Sequence, residues 1–445
     1  MDFMGLLPSF GNFAFTIIAF IIALSVIVAI HEYGHYIIGR LSGIHSEVFS
    51  LGFGPVVWSR RDKRGTKWQI SALPFGGYVK FMGDSSAASG KDGEVISQLS
   101  KAELRRTMHG APLWARFLTV LAGPVFNFIL SIVMLTGLAI YSGVGTYPPV
   151  IKSMHELPDV TNELKIGDKL IAINGVKYPE LDKFREFGDA VPVMRTLDYT
   201  ILRDGAEITV KGPALTPSRV SHVSPGWAAE AAGIKEDDVI LAVDGTEVFE
   251  FGQLLPLVGG SEGKPIVIKV WRAGEVFDVT LEATQRDLPK GDNTFETRYL
   301  MGVSGGYFFT PDSRSVGIGE AISIGAKRTW GIVTQSISGL YHMIAGKISA
   351  CNISGPITIA KISGQMAAQG TSSFIFFIAM LSTAVGLMNL FPIPVLDGGH
   401  LVFFAYEAVT GKPPSDKALR ILMTVGLGLI LSLMVFATTN DLFCP

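Results

Sequence analysis

The residues near the N-terminus that could do chemistry are two histidines and a glutamate at the end of an apolar segment. Phe13–Ile30 carries no formal charge and is long enough to form a membrane-spanning helix. If the helix continues, His31 and His35 lie one turn apart on the same face, and both imidazoles reach one Zn²⁺ at about 2.0–2.1 Å. Glu32 lies beside them and can take a proton from water at such an ion. The spacing therefore predicts a hydrolytic zinc site with Glu32 as general base.

The membrane setting of this motif favours function over a purely structural role. Charged side chains near the centre of a membrane helix cost about 2.5–3.5 kcal/mol on insertion scales, so ionisable residues there indicate function by default. The structural alternative is that the span ends at Ile30 and the His-Glu-Tyr-Gly-His stretch lies among the lipid headgroups. Polar residues in the second half of the chain favour the zinc site.

Those polar residues accompany a helix break. An apolar segment begins near Phe374 and runs into Asn389, after which Pro392 and Pro394 exclude a continuous helix. A broken helix with polar residues at membrane depth is typical of a site rather than of packing. Asn389, Pro392 and Pro394 are therefore candidate substrate-binding residues.

Asp397 follows the break and is the best candidate for a third metal ligand. A zinc site with two histidines needs a third protein ligand and leaves the fourth position to water. His400 and Glu407 lie further past the break and are rivals. By itself, Asp397-Gly398 is more typical of a plain turn at a membrane exit.

The composition indicates a few membrane helices plus a soluble insert of one or two domains. The chain has 445 residues, a mean hydropathy of +0.39 and only 17% charged residues. Its net charge of −2 gives no sign of nucleic-acid binding. Two cysteines exclude a cysteine-rich zinc site, and the leader before residue 13 has no Lys or Arg, which argues against a cleaved signal peptide.

The distribution of basic residues predicts the topology. Residues 36–116 contain twelve Lys and Arg, so this loop is expected on the cytoplasmic side and the N-terminus outside. Basic residues precede but do not follow the last apolar segment, 421–438, so the C-terminus is also expected outside. Both halves of the zinc site then lie on the cytoplasmic side.

Within that loop, residues 47–58 and 68–81 have strand character around a basic turn. Two interpretations stay open: an edge strand beside the active site that pairs with extended substrate, or a solvated hairpin. Residues 84–101 are predicted as a mobile loop. The second span covers 117–141 and contains Asn127, for which an interhelical hydrogen bond is the commoner role and a place in the site the minority alternative.

An internal repeat with an offset of seventy residues lies between the second and third spans. Residues 165–175 align with residues 235–245, and each copy pairs an apolar strand with an Asn-Gly or Asp-Gly turn. The copies resemble two PDZ domains in tandem, and residues 224–234 give the second copy the closer match. PDZ domains bind extended peptide ends by strand addition. Peptide binding and a steric filter are both open functions for the pair.

We predict a polytopic α-helical membrane protein with about four transmembrane helices, a membrane-associated β-hairpin or sheet, and two inserted PDZ-like α+β domains. The predicted boundaries are 1–40 for the first transmembrane helix, 41–112 for the hairpin and loop, 113–146 for the second helix, 147–215 and 216–285 for the PDZ-like domains, 286–370 for a linker and an amphipathic membrane-surface region, 371–402 for the broken third helix, and 403–445 for a loop and the fourth helix.

Taken together, these motifs resemble the site-2 protease family of intramembrane zinc metalloproteases, and most closely its bacterial regulator-of-sigma-E branch. The resemblance rests on the HEYGH motif, the Gly76–Gly83 segment, the tandem repeats and the Asn389…Asp397-Gly398 stretch, and it covers nearly the whole chain. It implies that His31, His35 and Asp397 bind zinc and that Glu32 is the base.

The resemblance also implies a substrate and a location. The substrate would be a single-pass membrane protein, such as an anti-sigma factor already trimmed outside the membrane, and remnant signal peptides are a further class. The protein would lie in the bacterial inner membrane, with the active site toward the cytoplasm and the PDZ domains and both termini in the periplasm. The PDZ pair would exclude bulky ectodomains.

Two rival functions have a different chemistry. A non-enzymatic PDZ scaffold would have no use for zinc, and a metal transporter would need ionisable groups along several spans. A separate hypothesis concerns Cys351 and Cys444, which both fall on the outer side and would form a disulfide there. Two free thiols are the alternative, because the sequence gives no distance between them.

Overall fold

The computed structural model describes residues 6–84, 97–179, 187–188, 190–224, 226–289 and 295–443. The chain forms two compact units, one comprising Met1–Tyr141 with Gly317–Cys444 and the other Ser142–Val316. Four helices of the first unit are long and apolar enough to cross a membrane, at Phe13–Leu41, Leu113–Ser142, Thr371–Asn389 and Asp416–Phe443. These four candidate spans, found within the described residues, fit the predicted class of a polytopic membrane protein.

The helices of the described residues belong mostly to the first unit. In chain order they are α1 Leu6–Leu41, α2 Lys101–Leu104, α3 Leu113–Ser142, α4 Ala228–Ala231, α5 Leu254–Gly259, α6 Ile318–Ile344, α7 Pro356–Ala368, α8 Thr371–Asn389, α9 Asp397–Thr410 and α10 Asp416–Phe443. Short 3₁₀ turns lie at Phe251–Gln253 and Ala350–Asn352.

The strands divide between a hairpin in the first unit and the sheets of the second. The hairpin consists of β1 Ser46–Arg61 and β2 Lys67–Phe81. The second unit contains β3 Val144–Gly145, β4 Ile151–Met154, β5 Lys169–Ile173, β6 Val176–Lys177, β7 Thr196–Arg203, β8 Ala206–Pro213, β9 Val220–Val223, β10 Val239–Val243, β11 Thr246–Glu247, β12 Pro265–Arg272, β13 Glu275–Glu282, β14 Thr284–Pro289, β15 Phe295–Leu300, β16 Val303–Gly305, β17 Phe309–Pro311 and β18 Ser313–Arg314.

The hairpin is long, antiparallel and irregular. β1 and β2 pair with several register shifts. Gly52 and Gly54 adopt φ of 86° and 82°, a region that glycine enters without the steric cost of a Cβ. Toward the turn the hairpin exposes apolar side chains, among them Val57 at 71% and Trp58 at 52%. Such a surface is unusual for a strand pair in water.

The chain breaks its helical path between α8 and α9. α8 ends at Asn389 and α9 begins at Asp397. The intervening turn packs tightly against the start of α9. A Cβ on Gly398 would collide with the Phe391 carbonyl, and one on Gly399 with the Ile393 carbonyl. Two glycines are therefore needed directly after Asp397.

The second unit contains two four-stranded antiparallel sheets with the same strand order. The order is β6-β5-β7-β8 in the first copy and β11-β10-β12-β13 in the second. A buried ion pair recurs at equivalent places. Arg203 donates twice to Asp168 at 2.7 Å, and Arg272 donates to Asp238 at 2.6 and 2.7 Å. The sequence repeat is thus a repeat of structure.

The second unit also contains three pairs of short strands. β3 pairs with β18, β4 with β17, and β9 with β16. Phe308 and Phe309 complete the hydrophobic core of the first copy, and Met301 completes that of the second. The segment from β15 to β17 therefore supplies core residues to both copies.

Residues 284–314 differ from the prediction for this part of the chain. The predicted boundaries end the second PDZ-like domain at residue 285 and place a linker after it, whereas residues 284–314 form β14 to β18. The linker prediction is wrong for these residues. Strands of two or three residues show no readable period, and β16 to β18 pair with strands more than 75 residues away.

Residues 330–333 and 341–344, which fall in the predicted amphipathic membrane-surface region, lie on the single helix α6. Residues at four-residue spacing, among them Gly325 and Thr329, are buried. Thr329 Oγ1 lies 3.1 Å from Ser131 Oγ on α3, which also accepts a bond of 2.8 Å from Thr383 on α8. α6 is therefore packed against two membrane-spanning helices through a chain of buried hydroxyl groups.

The end of α10 is joined to the start of α7. Asp441 accepts hydrogen bonds from the backbone amides of Gly355 and Ile357 at 2.7 and 2.9 Å. Cys351 lies in the 3₁₀ turn before α7 and holds no free thiol. Cys444 falls outside the described residues, so its pairing with Cys351 stays a prediction.

Candidate metal centre

His31, His35 and Asp397 meet where α1 approaches the start of α9. The two Nε2 atoms of the histidines are 3.2 Å apart. Asp397 Oδ2 lies 3.2 Å from His31 Nε2 and 3.5 Å from His35 Nε2. The side chains are mostly buried, with exposed fractions of 12% for each histidine and 17% for the aspartate. No other group of three such residues in the described ranges could hold a metal.

The three atoms form a triangle of the size that one zinc ion requires. Ligands at about 2.0–2.1 Å in a tetrahedron lie about 3.3 Å from one another, and the edges here are 3.2, 3.2 and 3.5 Å. Asp397 Oδ2 lies within ion-pair distance of both rings, yet it is buried without a hydrogen bond of good geometry to any described residue. A buried oxygen left so is costly unless an ion binds it. The donor set therefore fits zinc.

Helix α3 holds both imidazole rings. His35 Nδ1 donates to the Thr119 carbonyl at 2.8 Å, which turns Nε2 toward Asp397. Asn127 Nδ2 lies 3.2 Å from His31 Nδ1. Asn127 thus makes an interhelical contact and also lies in the site, so its commoner and its minority role coincide.

Gly123 leaves the space that the two rings occupy. A Cβ at this position would overlap the His35 ring and would lie 2.8 Å from His31 Cε1. Gly34 permits the same close approach from α1, where an added Cβ would lie 2.6 Å from the Ala122 carbonyl oxygen. α1 and α3 are therefore in backbone contact at the level of the metal centre.

Glu32 lies between the metal centre and the hairpin. Its carboxylate lies close enough to the Val79 backbone amide of β2 and to the three clustered residues to interact with them electrostatically. Gly77 is packed against it, so that an added Cβ there would lie 3.2 Å from Glu32 Cγ and 2.8 Å from the Ser50 carbonyl oxygen. The hairpin thus borders the residue predicted as general base.

The two rival ligands do not join the cluster. Glu407 forms a bidentate ion pair with Arg116, with distances of 2.6 and 3.0 Å. His400 is not among the grouped residues, and its ring contacts Phe403 with a centroid distance of 6.0 Å. The geometry therefore favours Asp397 as the third ligand.

The three candidate substrate-binding residues lie at the end of α8 and in the turn that follows it. Asn389 is the half-buried last residue of α8, and Pro392 is exposed in the break. Pro394 faces α10, where a Cβ on Gly426 would lie 3.1 Å from Pro394 Cδ. They flank the path of the chain into Asp397.

The family follows from comparison with known sequences. Residues 19–433 match the model of Peptidase family M50. The chain belongs to this family. A protein of Agrobacterium fabrum named "putative zinc metalloprotease" is 35% identical over 434 residues, which cover 96% of this chain and 95% of the relative. Proteins with the same description from Rhizobium meliloti and Pasteurella multocida are 33% and 32% identical over 97% of this chain and 97% and 99% of their own lengths.

Membership confirms the predicted class of enzyme. The protein is a zinc metalloprotease of the site-2 protease family and uses zinc as its cofactor. It is a membrane protein, and as an intramembrane protease it acts on membrane-protein substrates within the lipid bilayer.

Sequence reasoning missed three residues that shape the site. Gly34 and Gly123 carry a usable signal, because small residues in apolar helices mark close helix contacts. Thr119 carries none, since its contribution to His35 is a backbone carbonyl that any residue supplies.

Proposed function

We propose that this protein is an intramembrane zinc endopeptidase that hydrolyses a peptide bond in the transmembrane segment of single-pass membrane proteins. His31, His35 and Asp397 hold the ion, and Glu32 is the general base. The observation that carries the proposal is the zinc-sized triangle between α1 and α9, with a separate carboxylate beside it.

The residues around the ion divide the chemistry. Zinc, when bound, supplies Lewis acidity that activates water and polarises a peptide carbonyl. Glu32 accepts a proton from the attacking water and gives it to the leaving amine. The Thr119 carbonyl keeps the His35 proton on Nδ1, so that Nε2 stays free to ligate.

Asn127 has the corresponding role for His31, because its side chain can keep the proton of that ring on Nδ1. Its Oδ1 is buried without a hydrogen-bond partner among the described residues, while Nδ2 faces His31 Nδ1 at 3.2 Å. An imidazole that ligates through Nε2 carries its proton on Nδ1 and needs an acceptor there. A half-turn of the amide brings Oδ1 to that proton and satisfies both groups.

The hairpin delivers the substrate. A transmembrane helix hides its peptide groups in its own hydrogen bonds, so it must unwind before attack. Residues 48–51 of β1 pair with β2 on both sides, with residues 77–80 and with residues 67–70. Among the described residues, the 77–81 segment of β2 therefore keeps one edge unpaired, and this segment reaches Glu32 through Val79. Strand addition at this edge therefore brings an extended segment to the base. Asn389 hydrogen-bonds the unwound backbone, and Pro392 and Pro394 keep the facing turn non-helical.

The resemblance to the site-2 protease family suggests an anti-sigma factor of envelope-stress signalling, trimmed on its outer side, as the natural substrate. Remnant signal peptides are a second substrate class. The protein then lies in the bacterial inner membrane. The twelve Lys and Arg between residues 36 and 116 support a cytoplasmic metal centre, with the second unit and both termini in the periplasm.

The second unit acts as a PDZ-like pair that controls access. In the second copy, a cavity of about 360 Å³ lies between α5 and residues 299–304, with Trp227 and Phe251 in its wall. This volume falls in the range of ligand pockets, about 300–1,000 Å³. The cavity supports capture of a peptide end, and the bulk of the pair supports exclusion of untrimmed ectodomains.

The structure suggests how to remove this unit cleanly. Gly145 and Ser313 are paired across β3 and β18, so residues 146–312 can be replaced by a short glycine linker. The shortened enzyme should cleave untrimmed substrate that the full chain rejects. If untrimmed substrate stays intact while trimmed substrate is cleaved, the unit is not a filter.

The test of the enzymatic proposal is cleavage of a trimmed single-pass substrate by purified wild type and by Glu32→Gln, with zinc measured in both. We expect about one zinc per chain in each and a loss of activity of about 10²–10⁴-fold in the variant, the usual contribution of a general base. Wild-type protein without zinc would favour a PDZ scaffold. Equal activity in both proteins would exclude Glu32 as the base.

A further inference from the structure

Helix α9 carries Asp397 but is joined to α8 only through the non-helical turn at 390–396. The two histidines lie on α1 and are held by α3. The position of Asp397 relative to them therefore depends on how α9 is fixed to α3. Among the described residues, one polar contact between α9 and α3 is bidentate.

That contact is a partly buried ion pair between Arg116 of α3 and Glu407 of α9. Arg116 Nη1 and Nη2 donate to the two carboxylate oxygens at 3.0 and 2.6 Å. The side chains are only 14% and 17% exposed. The guanidinium also lies over the Phe404 ring, 5.3 Å from its centroid. Both oxygens of the carboxylate and the face of a neighbouring ring thus contact one cation.

Arg116 lies on the face of α3 that forms the metal centre. Thr119, Gly123 and Asn127 follow it at i+3, i+7 and i+11, a spacing that keeps residues on one side of a helix. From Arg116 to Gly123 the helix rises about 10 Å, and from Asp397 to Glu407 about 15 Å. The same face of α3 thus contacts the histidines around Gly123 and, through Arg116, binds the C-terminal half of α9.

The energetics favour a role of the ion pair in fixing the position of α9 on α3 over a role in stabilising the fold. A buried ion pair gains little over apolar residues of the same volume, because its attraction only offsets the cost of desolvation. A bidentate pair is nevertheless directional, since both N–H···O bonds are lost when one helix slides or turns. Leu401 and Phe404 also pack α9 against the apolar cluster around Tyr36 and Val120. These apolar contacts are not directional, so they do not hold the helix at one fixed position.

We propose that the Arg116–Glu407 pair is a positioning clamp that holds α9 in register on α3 and so keeps Asp397 at its ligating distance from His31 and His35. The clamp rests on the proposed metal centre. Glu407, a rival zinc ligand by sequence, serves the ion through Arg116 and not by contact.

The clamp is tested by the rate at which purified full-length protein in detergent loses zinc to a chelator. Arg116→Met and Glu407→Met should each release zinc at least about tenfold faster than wild type. Arg116→Lys, which keeps the charge but not the fork, should fall between. The exchanged pair R116E/E407R should return within about threefold of wild type. Arg105→Met is the control, because its guanidinium reaches the Ser42 carbonyl and not α9.

The melting temperature of the zinc-free proteins separates positioning from folding. We expect the exchanged pair and Arg116→Lys to melt within a few degrees of wild type, and these two variants carry the test if a single methionine variant fails to fold. Wild-type release rates in folded single variants, or an exchanged pair as fast as the singles, would overturn the clamp. Stoichiometric zinc in Asp397→Ala would instead overturn the metal centre itself.

Discussion

Buried aspartates in the two units of this protein have opposite surroundings. Asp168 and Asp238 in the second unit are 1% and 0% exposed, and each accepts two bonds from an arginine and one from a backbone amide. Asp397 in the first unit faces two histidine rings and keeps an oxygen without a hydrogen-bond partner among the described residues. The first two are satisfied within the protein, and the third is not.

This difference distinguishes aspartates with a structural role from an aspartate that is a candidate metal ligand. A buried carboxylate that is fully paired needs nothing further and contributes to folding. A buried carboxylate that faces the Nε2 atoms of two imidazoles forms with them a set of three converging ligand atoms, which suits a divalent cation. The same residue type thus stabilises a sheet in one unit and lies in a candidate metal centre in the other, and only the partners distinguish them.

The largest effect is expected for Asp397→Ala. Loss of one of three ligands should reduce bound zinc to a small fraction of one per chain and peptidase activity by at least about 10³-fold. The zinc-free variant should melt at or above the temperature of zinc-free wild type, because the change removes an unsatisfied buried charge. Metal analysis and a thermal melt check both parts, and a strongly lowered melt would class Asp397 with the structural aspartates.

Arg272→Met should lower the stability of the second unit and leave the amount of bound zinc unchanged. Asp238 would remain buried without its partner, which costs about 3–5 kcal/mol. Denaturant unfolding of the second unit, followed by protease sensitivity, measures this loss, while bound zinc should stay at the wild-type value. Arg195→Met is the matched control. Its pair with Glu247 is exposed and contributes under about 1 kcal/mol. Equal losses in both variants would contradict the comparison.

Gly123→Ala tests whether backbone contact shapes the metal centre. The added methyl would overlap the His35 ring, so we expect zinc affinity to fall about 100-fold, the upper range for residues that orient ligands. Gly137→Ala on the same helix is the control, because open space surrounds an added Cβ there. A competition assay with a zinc chelator measures both, and identical affinities would show that the rings adjust freely.

Asn127→Leu should have the smallest effect. It removes the acceptor proposed for the His31 Nδ1 proton and leaves the three ligands in place. We expect zinc affinity to fall about tenfold, the lower range for such partners. The same competition assay applies, and Asn127→Asp, which keeps an acceptor oxygen, should bind zinc more tightly than the leucine variant. The reverse order would exclude the acceptor role.

Local patterns in the sequence carry much of the site. His31 and His35 are neighbours because of helix periodicity alone, and Pro392 and Pro394 end α8 for steric reasons that hold in any context. The apolar runs predict the spanning helices because a bilayer admits few alternatives. The repeat at 165–175 and 235–245 is visible because each copy needs the same strand and turn. These features depend on residues close together in the chain.

The tertiary structure decided what depends on distant residues. The pairing of β16 to β18, the contact of Thr119 with His35 and the bonding of Glu407 to Arg116 join residues 80 to 291 positions apart. No local pattern encodes such a contact, since its free energy comes from surfaces that meet only after folding. By itself the sequence determined which groups could ligate zinc. Packing of α9 against α3 decided that Asp397, and neither His400 nor Glu407, meets the two histidines.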